Sequence, residues 1–175
     1  MTSALTTQEL VVDFQNALSE QENAEVDEPP SLEQFVSWAR SAYVDVKPIG
    51  CERPQEITIR LVDEAEIRDL NNAYRGKDRP TNVLSFPTEM SDHAESEISQ
   101  EMDADLLGDI LICHAVIVRE AAQQAKSVHD HYAHMTVHGL LHLCGHDHQD
   151  DLSAEQMEAL ETRILAQHNI ADPYQ

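Results

Sequence analysis

Residues 138–148 have the sequence HGLLHLCGHDH, which requires one helix of the chain to end inside it. His138 and His142 are four residues apart, so in a helix they lie on one face and can bind one metal ion. His148 would lie about 15 Å along a continued helix and on another face. We therefore predict that the helix ends near Gly145, because glycine adopts the left-handed conformation of a C-terminal cap without penalty. The chain then turns back, and His148 reaches the same ion.

These three histidines predict a metal site of the catalytic class. Three imidazole ligands with no evident fourth protein ligand are typical of zinc sites whose open position holds water, whereas structural sites have four protein ligands. The spacing H-x-x-x-H-x-x-G-x-x-H is shared with the metzincin proteases, which place a glutamate, their general base, directly after the first histidine. This chain has Gly139 at that position. The pattern therefore favours a hydrolase with one zinc ion and disfavours a protease of that mechanism.

Other histidines nearby are rival ligands. Seven of the ten histidines of the chain fall between residues 129 and 148. His134 lies one turn before His138, but ligands on three successive helical turns spread over more than about 10 Å, too far for zinc–nitrogen bonds of about 2.0 Å. His146 follows the glycine and can replace His148. Each histidine can also be an ordinary core or surface residue, which leaves the ligand set open at this point.

Length and composition indicate a single soluble domain over residues 1–175. The three cysteines form no C-x-x-C pair, which indicates free thiols and a cytoplasmic protein. No run of eighteen apolar residues occurs, and the N-terminal residues lack the basic and then apolar pattern of a signal peptide. We therefore expect neither a membrane span nor export.

The charge of the chain is strongly acidic, with one basic exception. Asp and Glu number 33 against 11 Lys and Arg, giving a formal net charge of -22, and such a surface repels nucleic acid. Arg75, Lys77 and Arg79 nevertheless fall within five residues and form a basic patch. Any polyanionic substrate must therefore meet the basic patch, while the acidic remainder of the chain narrows its approach.

The periodicity of apolar residues predicts one sheet and several helices. Strands are expected at residues 9–18, 56–62, 82–86 and 106–113, and helices at residues 32–44, 64–75, 116–125, 128–144 and 153–167. Gly108 indicates a bulge or a close approach, and Ser153 with Gln156 fits a capping box. Residues 88–105 are acidic and without periodicity, which predicts an exposed loop. The fold class is therefore α+β (mixed α/β), a single domain with about four strands in one sheet and about five helices.

Three motifs resemble those of one known family. The segments RGKDRPTNVLSFP (Arg75–Pro87), LLGDI (Leu106–Ile110) and HGLLHLCGHDH occur in the order found in the YbeY family of bacterial rRNA maturation factors, which are zinc-dependent, single-strand endoribonucleases. The resemblance covers roughly residues 56–175. Two departures stand out: His146 occupies a position where tyrosine is common, and the acidic stretch before Leu106 is longer than usual. His146 is therefore a rival metal ligand, and the longer acidic stretch leaves the path by which a substrate approaches undecided.

The resemblance implies a role for each site residue. His138, His142 and His148 would be the ligands of one zinc ion, and Arg75 would face the site. The implied substrate is single-stranded RNA rather than DNA, and the implied process is 16S rRNA 3′ end maturation with late ribosome quality control. The ribosome or ribosomal proteins would be partners, in the cytoplasm and without a membrane.

Metal chemistry then suggests how these residues would act. Zinc on three neutral imidazoles lowers the pKa of its bound water towards about 7 and can polarise a phosphoryl oxygen. Arg75 would hold the phosphate with its planar fork of donors. Asp147 is a candidate proton carrier, or an acceptor that orients a histidine, and Asp109 is another candidate.

Two other functions stay open at this point. The chain could be a metal-dependent hydrolase of another substrate, or a non-catalytic ribosome-assembly factor whose zinc is structural. A structural zinc would need a fourth protein ligand. Cys144 is the only thiol in the histidine-rich stretch, and on a helix it lies on roughly the opposite side from His142.

Overall fold

The computed structural model describes residues 10–20, 27–88 and 104–175. The strands and helices in these ranges are β1 Leu10–Asn16, α1 Leu32–Val46, β2 Gln55–Val62, α2 Glu64–Arg75, β3 Val83–Pro87, β4 Asp105–Cys113, α3 His114–Gln123, α4 Val128–Leu143 and α5 Asp151–Ala166. The predicted fold class, α+β with one four-stranded sheet and about five helices, is confirmed. Most of the acidic loop expected at residues 88–105 lies outside the described residues. Within them, no helix is both long and apolar enough to cross a membrane.

The sheet has the strand order β1-β2-β4-β3. β1, β2 and β4 are parallel, and β3 is an antiparallel edge strand beside β4. Alternate residues of β2 are fully buried, as the pattern of Ile57, Ile59 and Leu61 predicts, and they pack with α1, α4 and α5 in the main core. A smaller cluster, which includes Val62 and Ile67, covers the other face. Both faces of the sheet are therefore packed, and β3 forms an edge.

The helix α4 crosses the main core and has buried residues on several sides. Its backbone approaches the sheet closely at Gly139, where an added Cβ would lie 2.8 Å from Cγ2 of Ile110 and 3.2 Å from Oγ of Ser85. These contacts explain why this position carries no side chain. The position that holds the general base in a metzincin is here a packing contact with the sheet, so no catalytic carboxylate fits there.

Two local predictions are refined by the structure. The pairing of β2 with β4 has a bulge, because Glu56 pairs with Leu106 and Ile57 with Gly108. A Cβ on Gly108 would lie 2.4 Å from the backbone oxygen of Phe86. This glycine therefore lies both at a bulge and at a close approach of two strands. The start predicted for the last helix is wrong. Asp150 is the N-cap of α5, and Ser153 is the third helical residue of its capping box. Aspartate caps helices as well as serine does, so capping preference alone does not choose between these two positions.

Candidate metal centre

The C-terminal end of α4 has the predicted turn. Gly145 has φ +90°, its N–H donates to the oxygen of His142 at 3.0 Å, and the N–H of His146 donates to the oxygen of Leu141 at 3.0 Å. This pair of hydrogen bonds is the Schellman motif, which ends a helix at a left-handed residue and redirects the chain. His148 is thereby returned towards the last turns of the helix.

The structure brings His138, His142 and His148 together, in what we call the histidine triad. The Nε2 atoms of His138 and His142 are 3.1 Å apart, and one ligand nitrogen of each triad member lies within 4.8 Å of the others. Two nitrogens bound to one zinc at a tetrahedral angle are about 3.3 Å apart, given bonds of about 2.0–2.1 Å. The donor types and their spacing therefore fit a single zinc ion with little movement.

The pKa of the triad member His142 is lowered from its ordinary value to about 4. Burial is the largest cause, followed by the neighbouring imidazoles of His138 and His148. A metal ion binds the neutral form of imidazole. At neutral pH the ring of His142 is therefore already in the form that binds a metal.

The rival ligands lie elsewhere. His134 is buried on α4 and contacts Glu161 and Tyr174, and His146 lines the cavity beside the triad without joining the close set of donors. Cys144 packs against the apolar core, and burial raises the pKa of its thiol to about 12. In the part of the chain that the structure describes, no fourth His, Cys, Asp or Glu side chain completes the triad. This donor set is that of an open site and not of a closed structural one.

A buried carboxylate beside the triad was missed in the sequence. Oε1 of Glu161 lies 2.5 Å from Nδ1 of His138, and Glu161 has no solvent exposure. Burial alone would raise the pKa of Glu161, but hydrogen bonds from His134, His138 and Tyr174 outweigh it and lower the pKa to about 2. An ionised carboxylate only accepts hydrogen bonds, so Nδ1 of His138 carries the proton and Nε2 keeps its lone pair for a metal.

A sequence signal for this carboxylate exists. Glu161 occupies the same buried face of α5 as Met157, Ile164 and Leu165. Their spacing follows the helical repeat of an apolar stripe, in which a glutamate is out of place unless it has partners. The sequence therefore indicates a buried charge at a core position of this helix, but it does not indicate the partner of that charge.

The triad lines a cavity of about 660 Å³ whose walls also include Arg75 and Lys77. Arg79, the third member of the basic patch, is not among the lining residues. Within the described ranges, neither Arg75 nor Lys77 has a carboxylate partner. Five other arginines are in ion pairs: Arg53, Arg60, Arg68, Arg119 and Arg163. Two cations next to the triad are therefore available to an external anion.

The two candidate aspartates differ in position. Asp147 lines the cavity, and its Oδ1 accepts a hydrogen bond from the backbone N–H of His148 at 2.7 Å, so it shapes the turn that carries this histidine. Asp109 is exposed on β4 and is not among the residues that line the cavity. The structure thus brings Asp147, but not Asp109, to the site.

Comparisons with known proteins agree with this arrangement. A family model described as endoribonuclease YbeY matches residues 16–169. The endoribonuclease YbeY of Alteromonas mediterranea is 49% identical over 164 residues, which are 94% of this chain and 96% of that relative. The solution structure of TM1509 from Thermotoga maritima aligns with 91% of this chain and 92% of its own, with a TM-score of 0.53 and 22% identity, and shows the same fold.

These matches define the class of the chain as a nuclease, an enzyme that hydrolyses phosphodiester bonds. Within that class, the chain belongs to the endoribonuclease YbeY family. The resemblance that three motifs suggested is confirmed.

Proposed function

We propose that this chain is a zinc-dependent endoribonuclease of single-stranded RNA, acting in 16S rRNA 3′ end maturation and late ribosome quality control. The observation that carries the proposal is one cavity lined by three imidazoles close enough to hold one metal ion and by two cations that have no carboxylate partner among the described residues. The 49% identical relative is an endoribonuclease, which supports RNA as the substrate. The ribosome or its proteins as partners, and the cytoplasm as the location, belong to the same proposal.

His138, His142 and His148 would hold the zinc ion through one ring nitrogen each. Zinc bound there supplies a Lewis acid for a phosphoryl oxygen and an acidified water ligand. The protein contributes the arrangement: a rigid helix holds two imidazoles one turn apart, and a turn brings the third. Groups held by helices are positioned more precisely than groups on loops, so His138 and His142 would form the fixed part of the site.

Arg75 and Lys77 would bind the phosphate that is to be cleaved and the one next to it. The guanidinium of Arg75 has parallel donors that match two phosphate oxygens, whereas the ammonium of Lys77 acts as a point charge. Donors that are already in place where charge builds up usually make the largest single contribution to catalysis. Since the net charge is -22, most of the remaining surface repels RNA. RNA would therefore approach the protein at this cavity.

The test of this function uses one labelled RNA in several forms. Purified protein is depleted of metal, reconstituted with zinc, and incubated with a single-stranded RNA, the same RNA as a duplex, and a DNA of the same sequence. We expect endonucleolytic cleavage of the single-stranded RNA alone, dependent on zinc. Cleavage that survives complete metal removal, or equal cleavage of the DNA, would contradict the proposal.

The place in rRNA maturation needs a separate experiment. A 16S rRNA precursor with an extended 3′ end, free and within small ribosomal subunits, is treated with the native protein and with the His142→Ala variant. The native protein should shorten the 3′ end, and the variant should not. If single-stranded RNA is cleaved but the precursor stays intact in both contexts, the enzyme activity stands and the assigned process is wrong.

A further inference from the structure

A hydrogen-bonded network around a buried carboxylate joins the triad to Tyr174 in the segment 172–175. Glu161 lies at its centre and uses both carboxylate oxygens. Oε1 accepts from Nδ1 of His138 at 2.5 Å, while Oε2 accepts from the hydroxyl of Tyr174 and lies 3.4 Å from Nε2 of His134. Burying a carboxylate is costly unless it is hydrogen-bonded and near positive or polar partners. This glutamate therefore needs its network, and His138 is part of it.

The two ring nitrogens of His138 face different neighbours. Nε2 is turned to Nε2 of His142 at 3.1 Å, whereas Nδ1 is turned to Glu161. His134, His138 and Glu161 are also close enough to hold a metal, but through the side of His138 that faces away from the triad. Both oxygens of Glu161 already have hydrogen-bond donors there. The network is thus better explained as the support of one ligand than as a second ion site.

Tyr174 is itself held at several points. Its backbone N–H donates to Oδ1 of Asp172 at 2.9 Å, and the same oxygen accepts from the hydroxyl of Thr162 on α5 at 3.3 Å. Nζ of Lys126 donates to the backbone oxygen of Pro173 at 2.7 Å. The ring of Tyr174 lies edge to face with His134, at a centroid distance of 5.4 Å. The hydroxyl is therefore delivered to Glu161 by an anchored segment.

We infer that Glu161 is a positioning residue for the triad member His138, and that Tyr174 holds Glu161 in place. A carboxylate that accepts the second N–H of a metal-binding histidine fixes the tautomer and the ring orientation, and it strengthens the metal bond. Tyr174 and His134 keep the second oxygen of Glu161 occupied, so that the first stays aimed at His138. The inference rests on the proposed metal site and not on RNA as the substrate.

Zinc affinity is the measurement that tests this inference. Metal-depleted native protein, Glu161→Gln and Tyr174→Phe are titrated with zinc in competition with a chromophoric chelator. Loss of such a supporting group typically weakens metal binding by about 10–100-fold, which we expect for Glu161→Gln, with about tenfold for Tyr174→Phe. Glu155→Gln, an exposed change on the same helix, is the matched control and should bind zinc like the native protein.

A second readout separates positioning from a merely structural role. The absorption spectrum of the cobalt-substituted protein reports ligand geometry, and it should change in Glu161→Gln but not in Glu155→Gln. A network that only joins α4 to α5 would lower the melting temperature of the metal-free variants and leave zinc affinity and this spectrum as they are. That outcome would overturn the inference. If Glu161→Gln does not fold, unchanged zinc affinity in folded Tyr174→Phe would overturn it equally.

These measurements also distinguish this inference from the proposed function. Weaker zinc binding in Glu161→Gln, together with a native protein that cleaves no RNA, would support the positioning role and reject the nuclease mechanism. Zinc-dependent cleavage by the native protein, together with native zinc affinity in Glu161→Gln, would support the nuclease mechanism and reject the positioning role.

Discussion

The Nε2 atoms of His138 and His142 lie 3.1 Å apart on consecutive turns of α4. The helix places both side chains on one face, because residues four apart lie about one turn apart. The hydrogen bond from Nδ1 of His138 to Glu161 then leaves Nε2 of His138 facing His142. His148 approaches the pair from a turn outside the helix, and its ring centroid is 5.8 Å from that of His138 and 5.2 Å from that of His142. Two ligands thus depend on the helix and the third on Gly145.

Removing any member of the triad should remove the metal. The native protein is expected to carry about one zinc, and His138→Ala, His142→Ala and His148→Ala should each lose most of it, since two imidazoles do not complete the site. Zinc is measured by elemental analysis after dialysis. His146→Ala is the control, since His146 lies in the same cavity without joining the triad. Full zinc in His148→Ala with loss in His146→Ala would show that the third ligand is His146.

Replacing Arg75 should impair cleavage without unfolding the protein. Arg75→Ala is expected to keep native zinc content and melting temperature, while cleavage of single-stranded RNA falls about a hundredfold or more, the usual effect of removing one preorganised donor. Arg75→Lys should recover only part, because a point charge lacks the bidentate fork. Arg79→Ala, a change in the basic patch outside the cavity lining, should have a much smaller effect.

The opposing interpretation of Arg75 is a helix-end charge. Arg75 is the last residue of α2, where the negative end of the helix dipole stabilises a positive charge. In that case Arg75→Ala would cost about 0.3–1 kcal/mol of stability and leave turnover unchanged. Unfolding in urea and cleavage rates on the same samples separate the two interpretations.

Local features of this fold could be predicted from the sequence because their causes are local. The alternation of Ile57, Ile59 and Leu61 predicts a strand with one buried face, and that strand is present. Gly145 predicts the turn after α4, since an L side chain rarely adopts its φ of +90°. That His138 and His142 share one face of α4 follows from helical geometry.

Features that depend on distant contacts could not be predicted. Glu161 is 23 residues from His138, and they meet only because α5 packs against α4. The place of β4 between β2 and β3 likewise depends on strand pairing far apart in the chain. The start predicted for α5 is wrong for a different reason, because Asp150 and Ser153 are both good caps and their preferences do not choose between them.

The stability of the metal-free protein should fall as the pH decreases below about 6.5, in part because of His131. Burial lowers the pKa of His131, although a hydrogen bond to Glu120 at 2.7 Å opposes the effect. Between this lowered pKa and the ordinary value of 6.5, the unfolded chain binds a proton that the folded chain does not. The stabilisation is therefore complete above the ordinary pKa and is lost as the pH falls towards the folded pKa.

The variant His131→Gln isolates this contribution. Glutamine can still donate to Glu120 but does not titrate in this range. Urea unfolding of both proteins without metal, at about pH 7.5 and about pH 5.5, should show the smaller pH dependence in the variant. His142, whose pKa is also lowered, is present in both proteins and cancels in the comparison. Equal pH dependence in the two proteins would show that His131 contributes nothing.

Adding a single methyl group at Gly139 should destabilise the protein, although alanine normally favours a helix over glycine by about 1 kcal/mol. The new Cβ would lie 2.8 Å from Cγ2 of Ile110, and overpacking of this kind costs about 1–3 kcal/mol. We therefore expect Gly139→Ala to lower the free energy of unfolding, as measured in urea. The same change in an Ile110→Ala background should cost less, because the opposing methyl group is gone. If Gly139→Ala instead stabilises the native protein, α4 has room to move away from the sheet. Tight packing would then not explain why this chain has glycine at the position of the metzincin base.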